Sequence, residues 1–301
     1  MHFQYDQLSA LLSVIREGSF ERAAAVLHVT PSAISQRIKQ LEERVGSVVV
    51  ARGSPCTATP VGETVYRHAL QVELLEKDLL SSMSPNQAAS VKHATPMTLA
   101  VNADSLATWL MPALARFVEE TGLLVEIVVD DQDHTAEWLR SGRVLGAVTA
   151  EARPVLGCRV EPLGIMRYRA TASPGFVRNW FANGVSSKAL RQAPALVFNR
   201  RDELQERFVR RTLGGRPGQL RAHSVPSPNA FVEASLIGLG WGLNPEQLAD
   251  AHLKSKRLLE LIPGKWLDVP LYWQQWALAS DSLNSLAAAL SARAKVSLRA
   301  L

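Results

Sequence analysis

The punctuation of the first 60 residues constrains this chain more than any other feature. Leu8, Leu11, Leu12 and Ile15 recur at helical spacing, and the run stops at Gly18. Glycine takes positive φ without strain and so ends a helix cleanly. Ser19 is placed to cap a second short helix carrying Phe20, Ala23, Ala24 and Leu27 on one face. Its alanines let a neighbouring helix approach closely. His28-Val29 makes a tight turn, and Thr30-Pro31, a cap followed by a first-turn proline, opens a third helix. That helix turns Ala33, Ile34, Ile38, Leu41 and Val45 inward and stops at Gly46. Val48–Arg52 is then β-prone, Gly53-Ser54-Pro55 is a turn, and Cys56–Ala58 returns as a second strand. Thr59-Pro60 repeats the helix start. The order of short helix, tight turn, capped helix, wing and long helix predicts a winged helix-turn-helix.

The third helix shows Ser32, Ser35, Gln36, Arg37, Lys39 and Gln40 on its outer side. Hydrogen-bonding side chains on the N-terminal half of such a helix suit base edges in a major groove, and Arg37 can fork onto guanine or a phosphate. Thr30, Pro31 and Ser32, at the positive end of the helix dipole, suit a phosphate, and Arg52 lies near the wing tip. The net charge of +5 weakly favours a polyanionic partner, here double-stranded DNA. Residues 1–65 hold as many acidic groups as basic ones, so the pattern carries this expectation and the charge does not. In the next helix Val65, Ala69, Val72, Leu75 and Leu79 recur every three to four residues. A lone helix with such a seam calls for a partner, most simply its own copy.

Residues 81–96 are small, polar and proline-flanked, which is linker composition. Beyond them strands are expected at Met97–Val101, Leu124–Val129, Val144–Thr149 and near 165–172, 195–199, 220–224 and 270–277. Helices are expected around 105–120, 133–141, 228–238 and 281–298. The alternation predicts parallel sheets covered by helices, arranged as two lobes of the type II periplasmic-binding-protein kind. Ligands in such sheets sit at strand C-terminal ends. That places Asn102, Asp104 and Ser105 at one end, Asp130, Asp131 and Asp133 at the next, and Thr149 with Glu151 at the third. In the second lobe Asn199 and Asp202 follow a strand, while Ser227 and Asn229 precede a helix.

The run Phe20-Glu21-Arg22-Ala23-Ala24, continued by Ser32-Ala33-Ile34-Ser35-Gln36-Arg37-Ile38-Lys39-Gln40-Leu41-Glu42, resembles the LysR-type transcriptional regulators. Many members read Arg-Gln after the serine. The order Gln36-Arg37 is similar instead to the subgroup that regulates basic amino acid export, the ArgP/LysG type. Gln71-Val72-Glu73-Leu74-Leu75-Glu76 and Ala100–Leu110 resemble the same subgroup. The resemblance covers nearly the whole chain and is weakest around 200–222. It implies a tetramer that acts with RNA polymerase at a promoter. It also implies an effector, L-lysine or L-arginine, bound between the lobes near Asp104-Ser105. A cationic amino acid needs carboxylates for its cations and a donor cluster for its carboxylate. The effector candidates are accordingly Asn102, Asp104, Ser105, Asp130, Asp131, Thr149, Asn199 and Asp202.

The expected organisation is a winged helix-turn-helix in 1–60, a dimerisation helix and hinge in 61–96, and a two-lobed effector-binding domain in 97–301. No apolar run approaches the roughly 20 residues of a membrane span, and no secretory leader is recognisable, so the cytoplasm is the expected compartment. The two cysteines, Cys56 and Cys158, suit neither a metal pair nor a disulfide framework, and the seven histidines show no metal spacing. No cofactor and no metal are expected. An enzyme is disfavoured by the absence of Gly-x-Ser-x-Gly, His-Glu-x-x-His and P-loop motifs. Gly238-Leu239-Gly240-Trp241-Gly242 imitates a dinucleotide fingerprint but has Leu243 where the third glycine belongs. A regulator of another effector, a cytoplasmic ligand-binding protein and an enzyme stay open in descending order. The arginines between Arg200 and Arg221, interspersed with Asp202, Glu203 and Glu206, read as a solvated helix face and loop.

Overall fold

The structure, a computed structural model, describes residues 2–83, 96–130, 135–214 and 220–301. Asp131 and Asp133, Arg216 and most of the expected hinge lie outside the described residues.

The N-terminal part is built from α1 (Tyr5–Glu17), α2 (Phe20–Val26), α3 (Pro31–Val45), a two-stranded wing of β1 (Val50–Ala51) and β2 (Thr57–Ala58), and the long α4 (Pro60–Met83). The caps fall where the sequence places them. Ser19 Oγ accepts from the Arg22 N–H at 3.4 Å, and Thr30 Oγ1 accepts from the Ala33 N–H at 3.2 Å. Gly18 stands at φ +65°, and a Cβ there would lie 2.7 Å from Pro55 Cβ. Glycine therefore serves both the helix stop and the close seating of the wing turn. Ala10, Leu11, Ala23, Ala24, Ile34, Ile38 and Leu41 form the core where the three short helices cross. Glu42 Oε1 accepts from the Val49 N–H at 2.9 Å and fastens the entry to the wing.

The C-terminal part contains β3 (Met97–Asn102), α5 (Ala103–Ser105) continuing through a π turn (Leu106–Leu110) into α6 (Met111–Thr121), β4 (Val125–Asp130), α7 (Thr135–Arg140) and β5 (Gly146–Thr149). There follow β6 (Cys158–Ala172), α8 (Pro174–Trp180), α9 (Ser187–Gln192), β7 (Ala195–Val197), α10 (Leu204–Leu213) and β8 (Ala222–Ser224). The chain closes with α11 (Pro228–Leu236), β9 (Gly242–Pro245), α12 (Glu246–Lys254), β10 (Leu259–Glu260), β11 (Trp266–Trp276) and α13 (Asp281–Ser297). β6 and β11 are the two long crossing strands, paired antiparallel from Arg169↔Trp266 to Cys158↔Trp276. At one end β11 pairs with β5, and β3 lies parallel between β5 and β4, forming the first lobe. At the other end β6 pairs with β9 and β10. β7 and β8 are parallel there and join through the Ala195↔Trp241 bridge, forming the second lobe. α13 returns onto α6 of the first lobe.

Two strands differ from expectation in length for one reason. Pro162 and Pro270 interrupt the strand pattern, yet both lie within strands, and the ladder absorbs Pro162 by shifting register between Leu271 and Tyr272.

Candidate functional site

On α3 the inward residues Ile34, Ile38 and Leu41 are buried, which leaves Ser32, Gln36, Lys39 and Gln40 exposed and Ser35 and Arg37 half-buried. The outer face is therefore short polar side chains on a rigid helix. Two details differ from the sequence expectation. Arg37 Nη2 donates to Asp6 Oδ2 of α1 at 3.1 Å, so its guanidinium is drawn back toward α1. At the helix start Pro31 has no N–H and that of Ala33 is already bound by Thr30, so fewer amides face an anion than the dipole argument assumed. Lys39 stands 3.8 Å from Glu43, and Arg52 lies over the Phe20 ring at 5.3 Å, which ties the wing to α2.

Between the lobes, a narrow cleft with an internal volume of about 30 Å³ is lined by Asp104 and Asp130 from the first lobe and by Asp202, Gln205, Phe231 and Asn244 from the second. Asn102 and Asp130 end adjacent parallel strands in direct register, so Asp104, two residues past the end of β3, and Asp130 meet at one end of the sheet. Asp104 Oδ2 accepts from the Tyr168 hydroxyl at 2.6 Å. Asp130 Oδ2 accepts from the Trp138 indole N–H at 3.0 Å, and its Oδ1 from Arg201 Nη2 at 2.9 Å. Asn102 is fully buried, and neither atom of its amide has a partner. Gln205 Oε1 and Asn244 Oδ1 are likewise buried and unpartnered. Unpaired buried amides are costly unless something polar fills the space between them.

The remaining candidates bind their own surroundings. Ser105 Oγ accepts from the Trp109 indole at 3.0 Å, and Trp109 is core. Thr149 Oγ1 accepts from the Glu151 N–H at 3.2 Å. Asn199 Oδ1 accepts from the Arg201 N–H at 2.7 Å. Asp202 lines the cleft, but its oxygens accept from the Phe198 and Leu204 N–H groups at 2.8 and 2.9 Å, so it shapes its own loop. Asn102, Ser105, Thr149 and Asn199 do not line the cleft.

The pattern "Bacterial regulatory helix-turn-helix protein, lysR family" matches residues 5–63, and "LysR substrate binding domain" matches residues 93–296. The chain belongs to the LysR family. Among LysR-family relatives, the HTH-type transcriptional regulator LysG of Mycobacterium tuberculosis is 47% identical over 274 residues, 91% of this chain and 88% of that one. The crystal structure of ArgP from Mycobacterium tuberculosis superposes with a TM-score of 0.84 at 42% identity, covering 98% of each chain. Full-length LysG from Corynebacterium glutamicum with bound effector Arg superposes at 0.77 with 40% identity, over 98% of this chain and 99% of that one.

In this LysR-family chain the seam along α4 divides. Val65 and Ala69 are buried within the chain, and Val72 packs against the same core. Leu75 and Leu79 stay exposed at 40% and 59%, joined by Leu80 and Met83. The free apolar surface is thus the C-terminal half of α4. Its N-terminal half meets the first lobe through Glu63–Arg143 at 3.4 Å and through Arg67, whose guanidinium lies 5.2 Å from the Trp276 ring. Glu73 binds Arg16 of α1 at 2.7 Å. Burial opposes the Arg16 charge, but the Glu73 hydrogen bond and charge outweigh it and hold the guanidinium above its ordinary value. Burial pushes the Cys158 thiol up to about 11, so it stays protonated near neutrality. Among the described residues no acidic, histidine and cysteine group could hold a metal, and no helix is long and apolar enough to cross a membrane.

The sequence missed Tyr168, Arg201, Gln205 and Asn244. Nothing local marks them: Gln205 and Asn244 line the cleft, and Tyr168 and Arg201 bind Asp104 and Asp130, only through the pairing of distant segments.

Proposed function

We propose that this LysR-family protein is a DNA-binding transcriptional regulator, not an enzyme, whose effector is a basic amino acid, L-arginine or L-lysine, held between the lobes. One observation carries the reading: Asp104 and Asp130 line a single cleft whose other polar groups include buried, unpartnered amides. Two carboxylates suit the two cations of a basic amino acid, and the Gln205 and Asn244 oxygens suit its ammonium hydrogens. The arginine bound in the similar LysG supports the same class of ligand.

On the DNA side Ser35, Gln36 and Arg37 read bases, while Thr30, Pro31, Ser32, Lys39 and Arg52 face the backbone or minor groove. The exposed leucines of α4 pair two copies, dimers assemble to a tetramer, and the complex meets RNA polymerase in the cytoplasm. The test is binding to DNA upstream of the chain's own gene and its neighbours, by fluorescence anisotropy over a salt series, with and without arginine or lysine. Affinity should fall linearly on a log–log salt plot, and the amino acid should change occupancy or footprint. Binding that ignores both salt and amino acid would remove the proposal.

A further inference from the structure

Asp130 already holds a guanidinium, that of Arg201. The pair joins the lobes, because Asp130 ends β4 in the first and Arg201 lies on the loop between β7 and α10 in the second. A second acid of the first lobe, Glu137 on α7, stands 4.0 Å from Arg201 Nη1, so the fork faces two carboxylates. The Trp138 indole fixes Asp130 from its other oxygen. The loop carrying Arg201 is itself held by Asp202 and Asn199, and its neighbours Phe198, Asp202 and Leu204 wall the cleft. Arg201 does not line the cleft and is 51% exposed, whereas Asp130 lines the cleft and is 17% exposed.

We propose that Arg201 is an internal competitor for the cationic end of the effector. It sets the affinity for charged ligands and fastens the loop of the second lobe to the first until a ligand cation takes over Asp130. The inference rests on the basic amino acid reading of the cleft. Its physical basis is simple. A carboxylate already neutralised by a tethered guanidinium gives less to an incoming cation than a bare one, by the strength of the pair it must give up. Exchange at Asp130 also frees the Phe198–Leu204 loop, so occupancy is felt as a change between the lobes. A neutral ligand of the same shape cannot make the exchange.

Two measurements on the full-length protein test this. The first is a ligand-free double-mutant cycle of Arg201→Ala and Asp130→Asn read by thermal denaturation. The pair requires non-additive shifts, and strictly additive shifts would refute it. The second is calorimetry of wild type and Arg201→Gln with L-arginine and with its neutral isostere L-citrulline. Because Arg201 is half exposed, its loss should tighten arginine binding by up to about fivefold and leave citrulline unchanged. Weaker or unchanged arginine binding in Arg201→Gln, or equal tightening toward citrulline, would overturn the competitor role while leaving the basic amino acid reading intact. Failure of both proteins to bind any basic amino acid would overturn that reading and the competition together, with the double-mutant cycle still reporting the ion pair.

Discussion

Gly142 is where the effector domain meets the linker helix, and replacing it by alanine tests that junction. The residue follows α7 at φ +71°, and a Cβ there would lie 2.5 Å from Arg67 Cβ, 2.9 Å from Cγ and 3.0 Å from Cδ. A non-glycine residue in this left-handed conformation costs about 1–2 kcal/mol. The contact adds to it. Carbon atoms meet comfortably at about 3.5–4.0 Å, and Arg67 Cβ is fixed by the α4 backbone, so no rotamer change relieves the overlap. Overpacking of this kind costs about 1–3 kcal/mol, so Gly142→Ala should lose about 2–5 kcal/mol in all. Gly122 supplies the control, because it has φ +68° and nothing within 4 Å of its Cβ position. Gly122→Ala should lose only the backbone part. Urea denaturation followed by tryptophan fluorescence reads both. Relief comes by moving α4 away from the first lobe, so Gly142→Ala should still bind effector while its operator binding no longer responds to it. Equal stabilities of the two variants, or a Gly142→Ala protein within about 0.5 kcal/mol of wild type, would refute the reasoning.

Other consequences can be measured separately. Leu79→Asp should produce folded monomers by analytical ultracentrifugation, because Leu79 is exposed, whereas Val65→Asp should unfold the N-terminal part, because Val65 is 7% exposed. Gln36→Ala and Arg37→Ala should each weaken operator binding about tenfold or more if they read bases, measured by anisotropy, while Asp6→Ala, which frees Arg37, should not weaken it. Acid should loosen the crossing strands. The Arg167 hydrogen bond holds the Asp268 carboxyl below its ordinary range. Burial raises Glu246, but Arg169 and Arg299 outweigh it and hold it below its range too. A depressed carboxyl contributes stability that is complete above its unfolded value, about pH 4, and is lost as pH falls through its folded value. Asp268→Asn should therefore flatten the decline of the urea midpoint below about pH 4.

Local chemistry was legible in the sequence. Gly18, Ser19, Thr30-Pro31 and Gly46 each act on backbone within a few residues of themselves, and all end or start helices as expected. Asp104 and Asp130 were legible because strand ends in parallel sheets converge by topology. Contacts made by distant segments were not. The Tyr168 hydroxyl reaches Asp104 across 64 residues, and Arg201 reaches Asp130 across 71. β9 escaped because its four residues are all buried, which leaves no alternation to see. The seam of α4 was visible as a stripe, but a period of 3.6 does not say whether a core or a second copy covers it. Val65 and Ala69 are covered by the core, and Leu75 and Leu79 are not.

Charge recognition in the cleft is what would distinguish a basic amino acid from any other ligand. Isothermal titration of the wild-type protein and Asp104→Asn with L-arginine, L-lysine, L-citrulline and L-norleucine measures it. A hydrogen bond to a charged group contributes about 1.5–3 kcal/mol. Arginine or lysine should therefore bind well above their neutral analogues, and Asp104→Asn should weaken that binding about ten- to a hundredfold. Equal affinity for charged and neutral side chains, or arginine and lysine binding indifferent to Asp104→Asn, would contradict it.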